Sequence, residues 1–234
     1  MFPTSLSAES IVSYIINTAL MVPGIVFAFT FKGFIQAFVS KKLGDPTPEN
    51  QGRLTMNPLA HINWIGLLCM VLFGFGFGKP MPTSPVYYQN YKRDKVIYCL
   101  SGPLSLITLS FVLQGIAVPF SLASVLRNES AYGILSIICL IFMYGSLYSI
   151  VLGYFYLLPL PGLDGYNMIT ALTPARFNQT LFKIERYSTF IFLGFIFLMR
   201  FTNLGTIIFY PAYKLHDLYT AFWSMVFTPV FSSL

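Results

Sequence analysis

The sequence predicts an all-α polytopic membrane protein, and three observations carry that reading. Of 234 residues, 56% are hydrophobic and only 9% are charged, against roughly 25% charged in an ordinary soluble domain. Mean hydropathy is +0.69. Apolar runs long enough to cross a bilayer alternate with short polar segments bearing Pro and Gly, and only helices and closed barrels satisfy their backbone groups in hydrocarbon. A soluble globule needs a polar shell that so few charges cannot make, which excludes the water-soluble and disordered classes. The length suits one compact unit, a single transmembrane domain over residues 1–234, and is short for a transporter built from two complete halves.

The elements follow from the N-terminus. The first apolar run, residues 11–39, is a span interrupted by one charge, Lys32. The first ten residues carry no Lys or Arg and include Glu9, so the run reads as a retained span rather than a cleaved leader. Ser40 to Asn57 holds five charges with Pro46, Pro48 and Gly52, the signature of a loop. Residues 62–78 are short and end in a Phe-Gly alternation from Phe73 to Gly78, which predicts a re-entrant or short β-containing segment near residues 62–80. Spans are expected over 96–120, 131–158 and 187–210, the last interrupted by Arg200 and Asn203, with a cytoplasmic region containing Leu163-Asp164-Gly165 over 159–186 and a weak apolar segment over 218–231.

With 62–78 not crossing, the basic loops Lys41–Arg53, Lys79–Lys95 and Arg176–Arg186 fall on one side. That side is expected to be cytoplasmic and the chain to be a multi-pass protein of the cell (inner) membrane. The net charge of +6 then reflects loop asymmetry. No basic patch interleaved with aromatics points to nucleic acid, so the expected partners are the lipid bilayer and a membrane protein or transmembrane segment. Cys69, Cys99 and Cys139 sit in or beside apolar runs without CxxC spacing and read as small core residues. Of the two histidines, His61 is expected to be a hydrogen-bonded interfacial residue and His216 a solvated neighbour of Asp217.

Four separated pieces then form a pattern. Leu43-Gly44-Asp45-Pro46-Thr47 leads into Gln51-Gly52-Arg53-Leu54-Thr55-Met56-Asn57-Pro58-Leu59-Ala60-His61-Ile62; Lys79-Pro80-Met81-Pro82, Ser101-Gly102-Pro103-Leu104-Ser105 and Leu157-Leu158-Pro159-Leu160-Pro161-Gly162-Leu163-Asp164-Gly165 follow. In order and spacing, over roughly residues 25 to 175, this resembles the bacterial site-2 protease family of intramembrane zinc metalloproteases. The resemblance implies a site-2-protease-like transmembrane helix bundle. It also implies a zinc held by the two His of H-E-x-x-H and the Asp of L-D-G, with the Glu as general base.

Aligned on those motifs, the first His is Lys32, the Glu is Gly33 and the second His is Gln36. Only Asp164 stands at a family ligand position. An ammonium cannot ligate zinc, an amide is a poor substitute for imidazole, and Gly33 offers no base. The family's Asn in G-P-L-x-N is Leu106 here, and the Asn before L-L-P is Tyr156. No catalytic residue, no metal ligand and no cofactor are therefore expected, as in a pseudoenzyme that keeps the fold.

Lys32 lies nine residues before Lys41, roughly 14 Å along a helix from the basic loop. A cation that deep needs an anion, water or a route to the surface. The resemblance puts Asp164 beside it. One expectation is a buried polar cluster in which Lys32 pairs with Asp164 and Gln36, one turn on, bonds the remaining carboxylate oxygen. The other is a water-filled cleft or a snorkelling Lys32 with Asp164 solvated. Three functions follow: a non-catalytic module binding or regulating another membrane protein, an intramembrane zinc metalloprotease with unorthodox ligands, or a small transporter using the Lys32/Asp164 cleft.

Overall fold

The computed structural model describes residues 8–64, 66–68, 78–128, 130 and 133–232. Among them there is no strand, and three helices are long and apolar enough to cross a membrane. The first, α1 (Ala8–Lys42), continues to the basic pair Lys41 and Lys42, whose charges suit the negative end of the helix dipole. Two short helices, α2 (Thr47–Asn50) and α3 (Pro58–His61), follow. Asn57 caps α3 by accepting a hydrogen bond from the Leu59 amide at 3.1 Å, with Pro58 preset for the first helical position.

The second span, α4 (Tyr91–Leu126), has 36 residues. At ~1.5 Å per residue it outreaches a hydrocarbon layer of about 30 Å and projects beyond it. Its start is fixed reciprocally: Asn90 Oδ1 accepts from the Arg93 amide at 3.4 Å, while the Asn90 amide donates to Asp94 Oδ2 at 2.9 Å. The third span, α5 (Ile134–Leu157), runs alongside α1, since Tyr144 reaches Asn17 and Tyr148 reaches Met21. The chain order makes α4 antiparallel to both, and Ser110 of α4 bonds Ser146 of α5 at 3.1 Å. Ile25, Ala28 and Phe29 of α1, Leu106, Leu109 and Leu113 of α4 and Leu152 of α5 form the buried core of this three-helix unit.

After α5, helix α6 (Asp164–Leu172) folds back so tightly that a side chain on Gly165 would overlap the carbonyls of Leu157 and Leu158. Helices α7 (Asn178–Arg186), α8 (Ser188–Phe201) and α9 (Leu204–Ser232) complete the chain. Trp223 of α9 donates to the Phe111 carbonyl at 3.0 Å and packs at a tilt against the Phe111 ring, which seats α9 against α4. Phe192 and Phe195 of α8 pack on Phe155.

The apolar stretch expected over 187–210 is divided. Thr202 adopts an extended conformation, its hydroxyl donates back to the Leu198 carbonyl at 2.5 Å, and its oxygen accepts from the Leu204 amide at 3.3 Å. One residue thus ends α8 and caps α9, and the two helices are bent by 84°. Beyond the break, α9 runs unbroken through the polar interval 211–217 that separates the two expected apolar segments. In the stretch expected to be re-entrant or β-containing, residues 64 and 66–68 are helical and 78–80 irregular, while 69–77, with Cys69 and most of the Phe-Gly alternation, lie outside the described residues.

Candidate functional site

The candidate site sits where α1, α4, α5 and the start of α6 meet. Lys32 and Gln36 are one turn apart on α1 and therefore share a face. Lys32 Nζ donates to Gln36 Oε1 at 2.9 Å and lies 3.0 Å from Asp164 Oδ2. Gln36 Nε2 donates to the same Oδ2 at 3.1 Å. The expectation that Gln36 would take the other carboxylate oxygen is corrected here. With Oε1 turned toward Lys32, the amide nitrogen points at the oxygen that already faces the ammonium. Lys32 is 8% exposed, Gln36 2% and Asp164 9%, so the pair is withdrawn from water, where a charge-assisted contact is strongest and a missing partner costs most.

Tyr156 closes the cation's remaining side. Its ring centroid lies 3.8 Å from Lys32 Nζ, within cation–π range, and its hydroxyl meets the backbone amide of Gly78. Gly102 of α4 leaves the room this requires: a β-carbon there would come within 2.6 Å of Gln36 Nε2 and 3.0 Å of Lys32 Cε. The Ser-Gly-Pro-Leu-Ser segment thus accommodates the cluster through a missing side chain.

Gly33, at the general-base position, faces His61. A β-carbon on Gly33 would overlap the His61 imidazole, so the ring occupies the volume that a side chain at 33 would need. His61 is buried, and its Nε2 donates to the Thr55 carbonyl at 2.8 Å, which in the neutral ring puts the proton on Nε2. The segment around it is held by Arg53 donating to the Ala60 carbonyl and Lys79 donating to the Leu59 carbonyl at 3.1 Å. Burial and the nearby Arg53 and Lys79 charges hold the His61 pKa below its ordinary value, against the Thr55 bond, which raises it. His61 is thus hydrogen-bonded, as expected, and buried within the protein. His216 is also half-buried rather than solvated, with its Nε2 unpartnered.

Asp45, in the turn after α1, is a second buried carboxylate. It accepts from the Ser40 hydroxyl at 3.0 Å, the Thr47 amide at 2.9 Å and the Ser84 amide at 2.9 Å. Burial opposes its charge, but these donors outweigh it and hold the carboxyl below its usual pKa. Asp45 ties the end of α1 to the segment before α4.

A zinc centre of the kind implied by the resemblance needs three protein ligands with lone pairs free to coordinate. Asp164 offers one. The Lys32 ammonium offers none, the Gln36 oxygen is occupied by that ammonium, and the Tyr156 ring lies against the same cation. The described residues contain no group of three His, Cys, Asp or Glu side chains placed to hold a metal. The donor set does not fit zinc. Sequence reasoning identifies Lys32, Gln36 and Asp164 by counting along motifs. It does not foresee the His61 ring over Gly33 or the Tyr156 face under Lys32, although both positions lie inside the motifs that carry the resemblance.

Two relatives bear on ancestry. A protein of Bacillus subtilis (strain 168) named "Putative zinc metalloprotease YwhC" is 29% identical over 213 residues, covering 88% of this chain and 91% of that protein. A protein of Mycolicibacterium smegmatis (strain ATCC 700084 / mc(2)155) named "Putative zinc metalloprotease Rip2" is 29% identical over 168 residues, 67% of this chain and 58% of that protein. No protein-family model matches the chain. No solved structure matches it either. The helical fold of the described residues, four motifs in family order and similarity to these relatives along most of its length together support the resemblance to the site-2 protease family.

Proposed function

We propose that this chain is a non-catalytic member of its family that binds or regulates another membrane protein, with the Lys32 ammonium standing where the family carries its metal. The observation that supports this most directly is the Lys32 Nζ to Asp164 Oδ2 contact of 3.0 Å, with Gln36 bonded to both partners. The one carboxylate at a family ligand position is committed to a cation. The general-base position has no side chain, and its space is filled by His61. A fold that retains its shape while its reactive groups are replaced by a self-satisfied ion pair retains surfaces for a transmembrane or extended segment of a partner, which it would hold without cutting.

The test is the zinc content per chain of untagged protein in mild detergent, with Asp164→Ala alongside. The expected outcome is zinc far below one per chain in both. Stoichiometric zinc in the parent, lost in Asp164→Ala, overturns the reading and supports the activity carried in the relatives' names; chelator-sensitive cleavage would then be assayed. The ion pair has its own test. Lys32→Met leaves a buried carboxylate unpaired and is expected to cost about 3–5 kcal/mol of stability. Lys32→Met combined with Asp164→Asn should recover much of that loss, and additive losses would overturn the pairing.

A further inference from the structure

Helix α7 and the turn before it present an arrangement that the buried cluster does not use. Phe182 is 70% exposed and Tyr187 57%, while Leu181 and Ile184, on another face of the same helix, are half-buried. Gln179, Lys183 and Arg186 follow one another at i, i+4 and i+7, so they form a polar stripe beside Phe182. Arg176, in the preceding turn, lies 4.9 Å over the exposed Phe177 ring. The Leu181 carbonyl accepts from Tyr166 at 3.5 Å, which tethers α7 to α6 and fixes which faces turn outward. Two residues after Arg186 the apolar helix α8 begins.

Exposed aromatics flanked by cations, on a short amphipathic helix continuous with an apolar one, match the boundary between acyl chains and headgroups. Over residues 174–187 Arg176, Lys183 and Arg186 face one carboxylate, Glu185, so the sign of the charge selects an anionic surface. The antiparallel order of α1, α4 and α5 puts α7 at the same end of the bundle as Lys41 and Lys42, where like charges are concentrated. We propose that α7 is an anionic-phospholipid-binding helix lying in the headgroup layer, with Phe182 immersed and Arg176, Lys183 and Arg186 on lipid phosphates. This is independent of whether the buried centre is catalytic.

The test uses the full chain with Phe182→Trp, reconstituted in vesicles of equal parts phosphatidylcholine and phosphatidylglycerol. The fluorescence of the parent, from Trp64 and Trp223, is subtracted. Brominated acyl chains are placed on one lipid class at a time. The expected result is that brominated phosphatidylglycerol quenches the Trp at position 182 several-fold more strongly than brominated phosphatidylcholine. The preference should disappear in the added Arg176→Gln, Lys183→Gln and Arg186→Gln background. High salt should weaken it in the singly substituted protein, which keeps the test decisive if the multiple variant fails to fold. Equal quenching by both lipids overturns the proposal. So does water-like emission quenched by neither, or blue-shifted emission quenched by neither, which would place protein rather than lipid over Phe182.

Discussion

A methyl group added to Gly33 has nowhere to go while the His61 ring lies against that α-carbon. Gly33→Ala is expected to lower stability by ~1–3 kcal/mol, the usual cost of overpacking a filled interior, read as a fall in Tm in detergent. Combining it with His61→Ala should recover most of the loss, because the obstructing ring is gone. His61 also predicts a pH dependence. Its pKa is held below the ordinary value of 6.5, so as pH falls through 6.5 the unfolded chain takes up a proton that the folded one does not. Stability is full above that value and declines below it, by at most ~1.4 kcal/mol per pH unit, and a Tm series through that range in parent and His61→Ala checks it. At this scale the sequence was half legible. Lys32, Gln36 and Asp164 could be placed together because motif spacing survives substitution. The ring contacts could not, because a side chain that fills the space of an absent one leaves no trace in spacing.

Helix ends were less legible than helix centres. Hydropathy marks where a chain is apolar, so it locates the middle of α4 but not its start at Tyr91, which the Asn90 and Asp94 side chains fix through their bonds to the first turn. Asn90→Ala is expected to lower stability by about 1 kcal/mol, and slower amide exchange in the first turn of the parent than of the variant would locate the loss there. The division of the 187–210 stretch shows the converse. Asn203 hints at an interruption, but the break is built by a threonine whose one hydroxyl serves both helices, and a hydropathy window averages over it. The interval 211–217 contains Lys214, His216 and Asp217 and is still helical. Polar residues next to one another along the chain occupy different helix faces, so their composition alone does not break the helix.

For the molecule as a whole, the directions of three helices settle which ends lie together. The last turn of α1, the first turn of α4 and the end of α5 meet at one end of the bundle, and Arg127 lies at the other. Bias in Lys and Arg makes the first end the expected cytoplasmic face. A cysteine introduced at Arg186 should accordingly react with an impermeant thiol reagent only in membranes presenting their cytoplasmic side, and one at Arg127 only in the opposite orientation, in a background where the three native cysteines are replaced. Labelling of both from one side would contradict the arrangement. In the sequence this arrangement is an expectation carried by the basic loops Lys41–Arg53, Lys79–Lys95 and Arg176–Arg186, not by the motifs. The crossing of α9 over α4, through Trp223 and Phe111, carries no such marker.

The distance in sequence between the two halves of the buried cluster has a consequence for how the protein is made. Gln36 and its partner Asp164 are 128 residues apart, so at a synthesis rate of ~5–20 residues per second the ribosome needs roughly 6–26 s to deliver the carboxylate after the amide. During that interval the first helix carries a lone ammonium in a segment that must enter the bilayer, which is costly until its counter-charge arrives. The counter-charge of Lys32 is therefore made only with the start of α6, while α7, α8 and α9 are still to follow.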